Sequence, residues 1–162
     1  LIMATNDHYW VTDNVKNYID SIPGINRLHY IPNAGHDMNG GEEAMETVGA
    51  FFASLFSDRI FPMCTWTSSV QNHHLKIEVD MSREDLIGAE LWKASATSRD
   101  FRQSTWASSP IELPQEGNLF LEIPLTNKDY EACYVNLIYQ GKDGKPYKIS
   151  TRIFMTGEGK LL

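Results

Sequence analysis

The sequence predicts an α/β segment followed by an all-β segment, and three patterns along the chain support this prediction. In residues 1–59, short apolar runs alternate with stretches of helical periodicity, which is typical of a sheet with crossover helices. From residue 60 onward, apolar side chains recur at every second position, as in strands that bury one face. Between the last two of these runs lies Asp143-Gly144, a dipeptide typical of a tight hairpin turn. We therefore expect two domains, residues 1–59 and residues 60–162.

The α/β segment begins with a strand, a polar loop and a short helix. Residues 1–4 are apolar and predict the strand, and residues 14–19 predict the helix, for which Asp13 would be the N-cap. Pro23 and Gly24 end this helix, because proline cannot continue the hydrogen-bond ladder and glycine accepts a left-handed exit.

A second strand and a longer helix complete this segment. Residues 28–31 predict the strand, which Pro32 ends, and residues 42–56 predict the helix. The apolar residues of the helix share one stripe, formed by Met45, Val48, Phe52 and Leu55. Only part of a sheet is present in this segment, so the stripe and the first strand lack some of their packing partners. We therefore expect residues 1–59 either to form a homo-oligomer or to pack on the all-β segment.

The all-β segment contains seven runs with the period of a strand. They span residues 64–69, 75–81, 89–94, 104–107, 119–123, 133–140 and 147–154. The segment has about the length of a seven-strand immunoglobulin-like β-sandwich, roughly 100 residues. Cys64 and Cys133 form no CxxC pair, and Glu131 stands where a tyrosine corner would need Tyr. Two buried free thiols are favoured over an inter-sheet disulfide, which stays the alternative.

Composition excludes several classes of protein. Of the 162 residues, 42% are hydrophobic and 22% are charged, which excludes a disordered tail, a collagen-like fibre and a coiled coil. The net charge of −7 and the pI near 5.1 argue against nucleic-acid binding, which needs a basic surface. No apolar run approaches the roughly 18 to 20 residues of a membrane span. The first four residues are typical of a buried strand, so we expect the chain to be part of a longer protein.

Asp7 and His36 are the candidate catalytic residues. Each follows one of the two predicted strands of the α/β segment, and functional side chains of such sheets collect at the carboxyl ends of the strands. An aspartate can fix the tautomer of a histidine that acts as a general base. The order Asp before His is also that of the α/β-hydrolases. Gly35 would allow the loop to turn sharply enough to aim the His36 ring.

Several runs of residues resemble the C-terminal part of the PhoPQ-activated pathogenicity-related protein family. They are ATNDHYW at residues 4–10, PG at 23–24, LHYIPNAGH at 28–36, LW at 91–92, SRDFR at 98–102 and Trp106. That family resembles α/β-hydrolases and is related to autocrine proliferation repressor proteins. The resemblance implies that Asp7 is the acid of a catalytic triad and His36 its base, that Asn6, Tyr9 and Trp10 shape the wall of the site, and that the protein is periplasmic or secreted.

The nucleophile of such a triad is missing from this sequence. The G-x-S-x-G motif that presents the serine of α/β-hydrolases does not occur in the 162 residues. We therefore expect the chain alone to be inactive, and the upstream segment of the same protein to supply the serine. No cofactor and no metal is expected for this chemistry.

Other interpretations compete at several positions. Asp7 alone is typical of a turn residue that caps its own backbone, and Asp13 is a second candidate acid. Tyr9 and Trp10 are either a substrate wall or core residues, and His29 is expected to pack within its strand. His73 and His74 are adjacent on a strand, so their side chains point to opposite faces and one metal ion cannot easily take both.

Two functions of different class follow from these residues. The first is hydrolysis of an ester or amide bond by Asp7, His36 and a serine outside this sequence. The second is a binding or signalling role, in which the β-sandwich contacts a partner and the hydrolase-like part is catalytically silent.

Overall fold

The computed structural model describes residues 1–126 and 129–162. They form eleven strands, one α-helix and three 3-10 helices, so the described chain is mostly β-sheet. The first part holds strands β1 (Ile2–Ala4) and β2 (His29–Ile31), helix α1 (Glu42–Leu55), and the 3-10 helices Asn14–Asn17, Ile19–Ser21 and Met38–Gly40. Strands β1 and β2 pair in parallel, with Ile2 opposite His29 and Ala4 opposite Ile31.

The remaining nine strands form two antiparallel sheets. They are β3 (Cys64–Gln71), β4 (His74–Met81), β5 (Leu86–Ala96), β6 (Ala107–Ile111), β7 (Leu119–Pro124), β8 (Tyr130–Gln140), β9 (Pro146–Ser150), β10 (Phe154–Gly157) and β11 (Lys160–Leu161). The smaller sheet has the order β3-β4-β7. In the larger sheet, β5 lies between β6 and β8, and both β9 and β10 pair with the other edge of β8, with β11 next to β10.

The two antiparallel sheets share a hydrophobic core. Alternate residues of β4, namely Leu75, Ile77 and Val79, are buried there, while their neighbours are more exposed. The facing residues of the larger sheet include Val135 and Leu137. The alternation that the sequence predicts is therefore the pattern of strands that each bury one face in a common core.

A second core lies between the first 59 residues and other residues of the larger sheet. Val15, Ile19, Leu28 and Tyr30 pack there with buried residues of the β-rich part, which are Ala94, Phe101, Trp106, Ala132, Tyr134, Ile153 and Met155. The first segment therefore packs on the all-β segment, which is one of the two outcomes that the sequence predicts for it.

Strand β2 is joined to β9 through Ser150. The Ser150 backbone N–H donates to the carbonyl of Leu28 at 2.6 Å, and the Tyr30 N–H donates to Oγ of Ser150 at 2.9 Å. The parallel pair is thus connected by hydrogen bonds to the edge of the larger sheet, which satisfies backbone groups that an edge strand leaves unpaired.

A buried polar cluster fixes α1 on β2 and β9. His29 is 1% exposed, and its Nε2 lies 3.2 Å from Oε1 of Glu43 while its Nδ1 lies 2.9 Å from Oγ1 of Thr47. Lys148 Nζ donates to the same Glu43 oxygen at 2.9 Å, and Oγ1 of Thr47 lies 3.1 Å from the Lys148 carbonyl oxygen. The helix therefore contacts the sheet through polar groups and not only through apolar packing.

Most of the apolar stripe of α1, which the sequence predicts to lack part of its packing partners in this chain, lies on the surface. Met45, Phe52 and Leu55 are 64%, 54% and 59% exposed, whereas the buried residues of the helix are Ala44 and Thr47. The reason is the polar cluster, because the bonds of Thr47 to His29 and β9 orient the helix with its small residues inward.

The short helix predicted at residues 14–19 is two 3-10 helices instead, and Asp13 makes no capping bond. Its carboxylate accepts hydrogen bonds from Lys16 at 2.6 Å and from Arg99 at 2.9 Å. Both ion pairs use Oδ2 of the carboxylate.

Two predicted strands differ most from the observed ones. The strand at residues 104–107 begins only at Ala107, because the Ser104 carbonyl accepts a hydrogen bond from the Asn6 side chain rather than from β5. The strand at 147–154 is divided into β9 and β10. At the division, Oγ1 of Thr151 accepts the Val135 N–H at 3.0 Å in place of a backbone carbonyl.

Three smaller observations complete the fold. The β8–β9 hairpin turns at Gly144, which has a φ of 83°. In the part of the chain that the structure describes, Cys64 and Cys133 are both buried and unbridged. None of the helices there has the length and the apolar composition needed to cross a membrane.

Burial and ion pairing in the α1 cluster predict a loss of stability in acid. Burial lowers the pKa of His29 below its usual 6.5, despite the neighbouring Glu43. Partial burial alone would raise the pKa of Glu43, but the hydrogen bonds from His29 and Lys148 lower it to about 2. Both groups bind more protons in the unfolded chain, so the free energy of unfolding should be highest above pH 6.5 and fall as pH drops, first as His29 is protonated and then below pH 4.5.

Urea titrations at pH 7, 5.5 and 3 measure this effect. We expect Glu43→Gln to remove about 1 to 2 kcal/mol of the pH dependence below pH 4.5, a value reduced because the side chain is 33% exposed. Glu122→Gln, which breaks the exposed Lys76–Glu122 pair, is the control and should change little. An unfolding free energy that stays constant from pH 7 to pH 3 would contradict the expectation.

Candidate active site

The loops that follow β1 and β2 run side by side at one edge of the parallel pair. The Thr5 N–H donates to the Ile31 carbonyl at 3.1 Å, and the Asn6 N–H donates to the Ala34 carbonyl at 3.0 Å. The Asn33 N–H donates to Oγ1 of Thr5 at 2.9 Å. Because the strands are parallel, both loops leave from their carboxyl ends, and these bonds continue the pairing beyond the strands.

The structure brings Asp7 and His36 together at this edge. Nδ1 of His36 lies 2.8 Å from Oδ2 of Asp7, and the Tyr9 N–H donates to Oδ1 of Asp7 at 2.9 Å. The Asp7 side chain is 7% exposed, whereas the His36 side chain is 60% exposed. The pair is thus a buried carboxylate that holds one nitrogen of an accessible imidazole.

The surroundings of Asp7 favour its charged form. Burial by itself would raise the pKa of this carboxyl, but the hydrogen bonds from His36 and from the Tyr9 N–H, with the charges of His36 and His8, lower it below its usual 3.8. Asp7 also receives the N–H two residues ahead, which is the turn-capping role expected of an aspartate here. The two roles are compatible because they use different oxygen atoms.

The loop before His36 turns at Asn33 and not at Gly35. Asn33 has a φ of 54°, in the left-handed region, while Gly35 has no positive φ. A Cβ atom built on Gly35 would meet Oδ1 of Asp37 at 3.6 Å, which is an ordinary contact. The expectation that Gly35 aims the ring is therefore wrong, since asparagine itself accepts the left-handed conformation.

Tyr9 and Trp10 both lie on the surface, and Tyr9 contacts His36. They are 72% and 56% exposed, so they are not core residues. The Tyr9 ring contacts the His36 ring edge to face, with centroids 4.9 Å apart and planes at 77°. The position of His36 is thus limited by Asp7 on one side and by Tyr9 on another.

Asn6 points away from the pair, toward the loop between β5 and β6. This β5–β6 loop comprises residues 97–106. Nδ2 of Asn6 lies 2.7 Å from the Ser104 carbonyl, and its Oδ1 accepts the Thr5 hydroxyl at 2.7 Å. The sequence places Asn6 next to Asp7 but gives no sign of this loop, which lies almost a hundred residues further along the chain.

The other candidates lie elsewhere. Asp13 is bound to Lys16 and Arg99, and His29 to Glu43 and Thr47. His74 bonds the Asn72 carbonyl on the β3–β4 hairpin. Over residues 1–126 and 129–162, the structure contains no group of three or more His, Cys, Asp and Glu side chains arranged to hold a metal ion.

The Asp7–His36 pair has one nitrogen left for chemistry. With Nδ1 bound to a carboxylate, the neutral ring carries its proton on Nδ1, and Nε2 has a free lone pair. Within the described residues, no Ser, Thr or Cys side chain bonds to this Nε2. The arrangement can accept a proton from a group that approaches the exposed side of the ring.

Comparison with known proteins identifies one family. The family model described as PhoPQ-activated pathogenicity-related protein matches residues 1–102, which is more than half of the chain. The matched range contains both Asp7 and His36 and extends from β1 into the β5–β6 loop. Comparison with curated proteins and with solved structures gives no match.

The geometry predicts the tautomer of His36. In the wild-type chain the neutral ring should carry its proton on Nδ1, because the Asp7 carboxylate can only accept a hydrogen bond. Asp7→Asn should convert the ring largely to the Nε2-protonated form, since an amide can donate to Nδ1. Nitrogen-15 NMR of the two ring nitrogens, above the pH at which the ring is charged, measures the populations.

The His74 ring of the same sample is the internal control, because it lies on the β3–β4 hairpin and bonds the local Asn72 carbonyl. Its tautomer should not change in Asp7→Asn. A wild-type His36 ring that is mainly Nε2-protonated would contradict the geometry.

Proposed function

Because the chain belongs to the PhoPQ-activated pathogenicity-related protein family, we propose that it is part of a serine hydrolase that cleaves an ester or amide bond. The observation that carries this proposal is the 2.8 Å contact between a buried carboxylate, Asp7, and an exposed imidazole, His36. This pair has the composition and the burial of the acid and base of a catalytic triad.

In the proposed reaction, Nε2 of His36 takes the proton of a serine hydroxyl while the serine oxygen bonds the substrate carbonyl carbon. His36 then gives that proton to the leaving alcohol or amine as the bond to it breaks. Water hydrolyses the resulting acyl-enzyme by the same two proton transfers. Asp7 stays ionised throughout and stabilises the imidazolium, in agreement with its lowered pKa. No cofactor takes part.

The serine belongs to an upstream segment of the same protein in this proposal. The described part of the chain offers that segment two surfaces, the second edge of β1 and the exposed apolar side of α1. A parallel sheet of two strands is unusually small, and further strands beside β1 would bury this edge in an α/β-hydrolase-like sheet. A second copy of the chain is the other occupant that these surfaces could take, as a homo-oligomer through residues 1–59.

The remaining features of the proposal concern the substrate and the architecture. Tyr9 and Trp10 would form the substrate wall, supported by the exposure of both and by the contact of the Tyr9 ring with His36, and Asn6 would help to shape this wall. Residues 1–59 would be the C-terminal part of the α/β-hydrolase-like domain, and residues 60–162 an immunoglobulin-like sandwich. The family description supports a periplasmic or secreted protein with a role in virulence.

Activity of the protein that includes the upstream segment tests the proposal. His36→Ala should lower kcat for ester hydrolysis by about 100- to 10,000-fold, which is the usual contribution of a general base. It should also slow labelling by a serine-directed fluorophosphonate probe, because the serine loses its activating base.

His74→Ala is the matched control, since His74 lies on the β3–β4 hairpin and bonds only a local carbonyl among the described contacts. Its activity and labelling should equal those of the wild type. Equal labelling and hydrolysis in His36→Ala and wild type would overturn the proposal, and would favour a binding or signalling role for the β-rich part.

A further inference from the structure

We propose that Asn6 and Asn33 are positioning residues. Their hydrogen bonds attach two loops, the one that contains Asp7 and the one that contains His36, to the β5–β6 loop, and this attachment keeps the Asp7 and His36 side chains in contact. This inference rests on the proposed hydrolase function for its catalytic consequence. Its structural consequence does not depend on that function: removal of the asparagine hydrogen bonds should change the contact between Asp7 and His36.

Asn6 binds three carbonyl groups of the β5–β6 loop with one amide nitrogen. Nδ2 of Asn6 lies 2.7 Å from the carbonyl oxygen of Ser104, 3.2 Å from that of Arg102 and 3.3 Å from that of Phe101. An amide nitrogen has two protons, so the three oxygens share them, with Ser104 receiving the shortest bond. These carbonyls face the residue that directly precedes Asp7.

Asn33 binds the last residue of the same loop, Trp106. Its Nδ2 donates to the Trp106 carbonyl at 2.9 Å, and its Oδ1 accepts the Trp106 N–H at 2.7 Å. The side-chain amide thus makes with Trp106 the two bonds that a peptide group of a neighbouring strand would make. The left-handed φ of 54° at Asn33 lets the side chain reach Trp106 while the backbone turns toward His36.

The β5–β6 loop is itself held firmly by the β-rich part. Phe101 is 0% exposed and Trp106 is 2% exposed, and both rings belong to the second core. Arg99 bonds Asp13 at 2.9 Å, and the Ser104 hydroxyl donates to the Ser95 carbonyl on β5 at 3.1 Å. The loop is therefore a fixed support, and the two asparagines connect the site to it.

The two fastened loops are also connected to each other. Oγ1 of Thr5 accepts the Asn33 N–H and donates to Oδ1 of Asn6, so one hydroxyl links the two asparagines. A shift of either loop along the β5–β6 loop would break several of these bonds together. The 2.8 Å distance between Asp7 and His36 is consequently set by contacts with residues 97–106 as well as by the two strands.

The test removes each amide without changing the residues of the pair. Asn33→Gly is the main variant, because glycine adopts the positive φ without strain and only the two bonds to Trp106 are lost. Asn6→Ala removes the donor to the three carbonyls. Asn26→Ala is the matched control, since Nδ2 of Asn26 also donates to two carbonyls, those of Ile19 and Ile22, away from the site.

The first readout is the tautomer of His36 by nitrogen-15 NMR in the 162-residue chain. We expect Asn33→Gly and Asn6→Ala to lower the Nδ1-protonated fraction substantially, and Asn26→Ala to leave it at the wild-type value. A wild-type fraction in both site variants, with a folded amide spectrum, would overturn the inference. If either variant fails to fold, Asn33→Asp replaces it, because the carboxylate still accepts the Trp106 N–H but repels the Trp106 carbonyl.

The second readout is the kinetics of the protein with its upstream segment. The expected effect is a fall in kcat of about 10- to 100-fold with little change in KM, as for a displaced catalytic group. If the wild type hydrolyses no substrate, the proposed function fails while the NMR result still decides the positioning role. If kcat is unchanged although His36→Ala is inactive, the positioning role fails and the proposed function stands.

Discussion

The parallel pair β1–β2 cannot bury its own apolar residues, and the rest of the structure depends on which elements cover its two faces. A two-stranded sheet is not stable by itself in water, so its faces need other elements. Helix α1 covers part of the pair, where its residue Ala44 packs with Ala4 of β1, Ile31 of β2 and Ala34 of the following loop. The other part packs in the second core, where Leu28 and Tyr30 meet Tyr134 and Met155 of the larger sheet. The β-rich part thus supplies the support that the small sheet lacks.

This support determines where the candidate site lies. Ser150 joins β2 to β9, and Thr47 and Lys148 fix α1 on the same strand. The loops that leave β1 and β2 are then free to project Asp7 and His36 at one edge, where the carboxylate is buried and the ring is accessible. The same packing therefore explains both the stability of residues 1–59 and the asymmetric exposure of the pair.

The sequence predicts the features that depend on local pattern. Asp7 and His36 each follow the end of a predicted strand. Because parallel strands bring their carboxyl ends to one edge of the sheet, this placement predicts that the two side chains lie close together. Long-range polar contacts leave no such pattern. Asn6 and Asn33 have the composition of turn residues, and their partners lie 95 and 73 positions away. Periodicity likewise predicts that Met45 and Phe52 share one apolar stripe, whereas the hydrogen bonds of Thr47 decide which side of α1 faces the sheet.

Native-state hydrogen exchange tests most directly whether the β-rich part holds residues 1–59 in place. The first group of amides is that of Thr5, Asn6 and Tyr30, which donate to Ile31, Ala34 and Ser150 in that order. The second group is that of Val135 and Leu137 in β8. If the second core joins both parts, all five amides should exchange by the same global unfolding, with equal opening free energies. Exchange of the first three by a local opening several kcal/mol smaller than that of β8 would contradict this account.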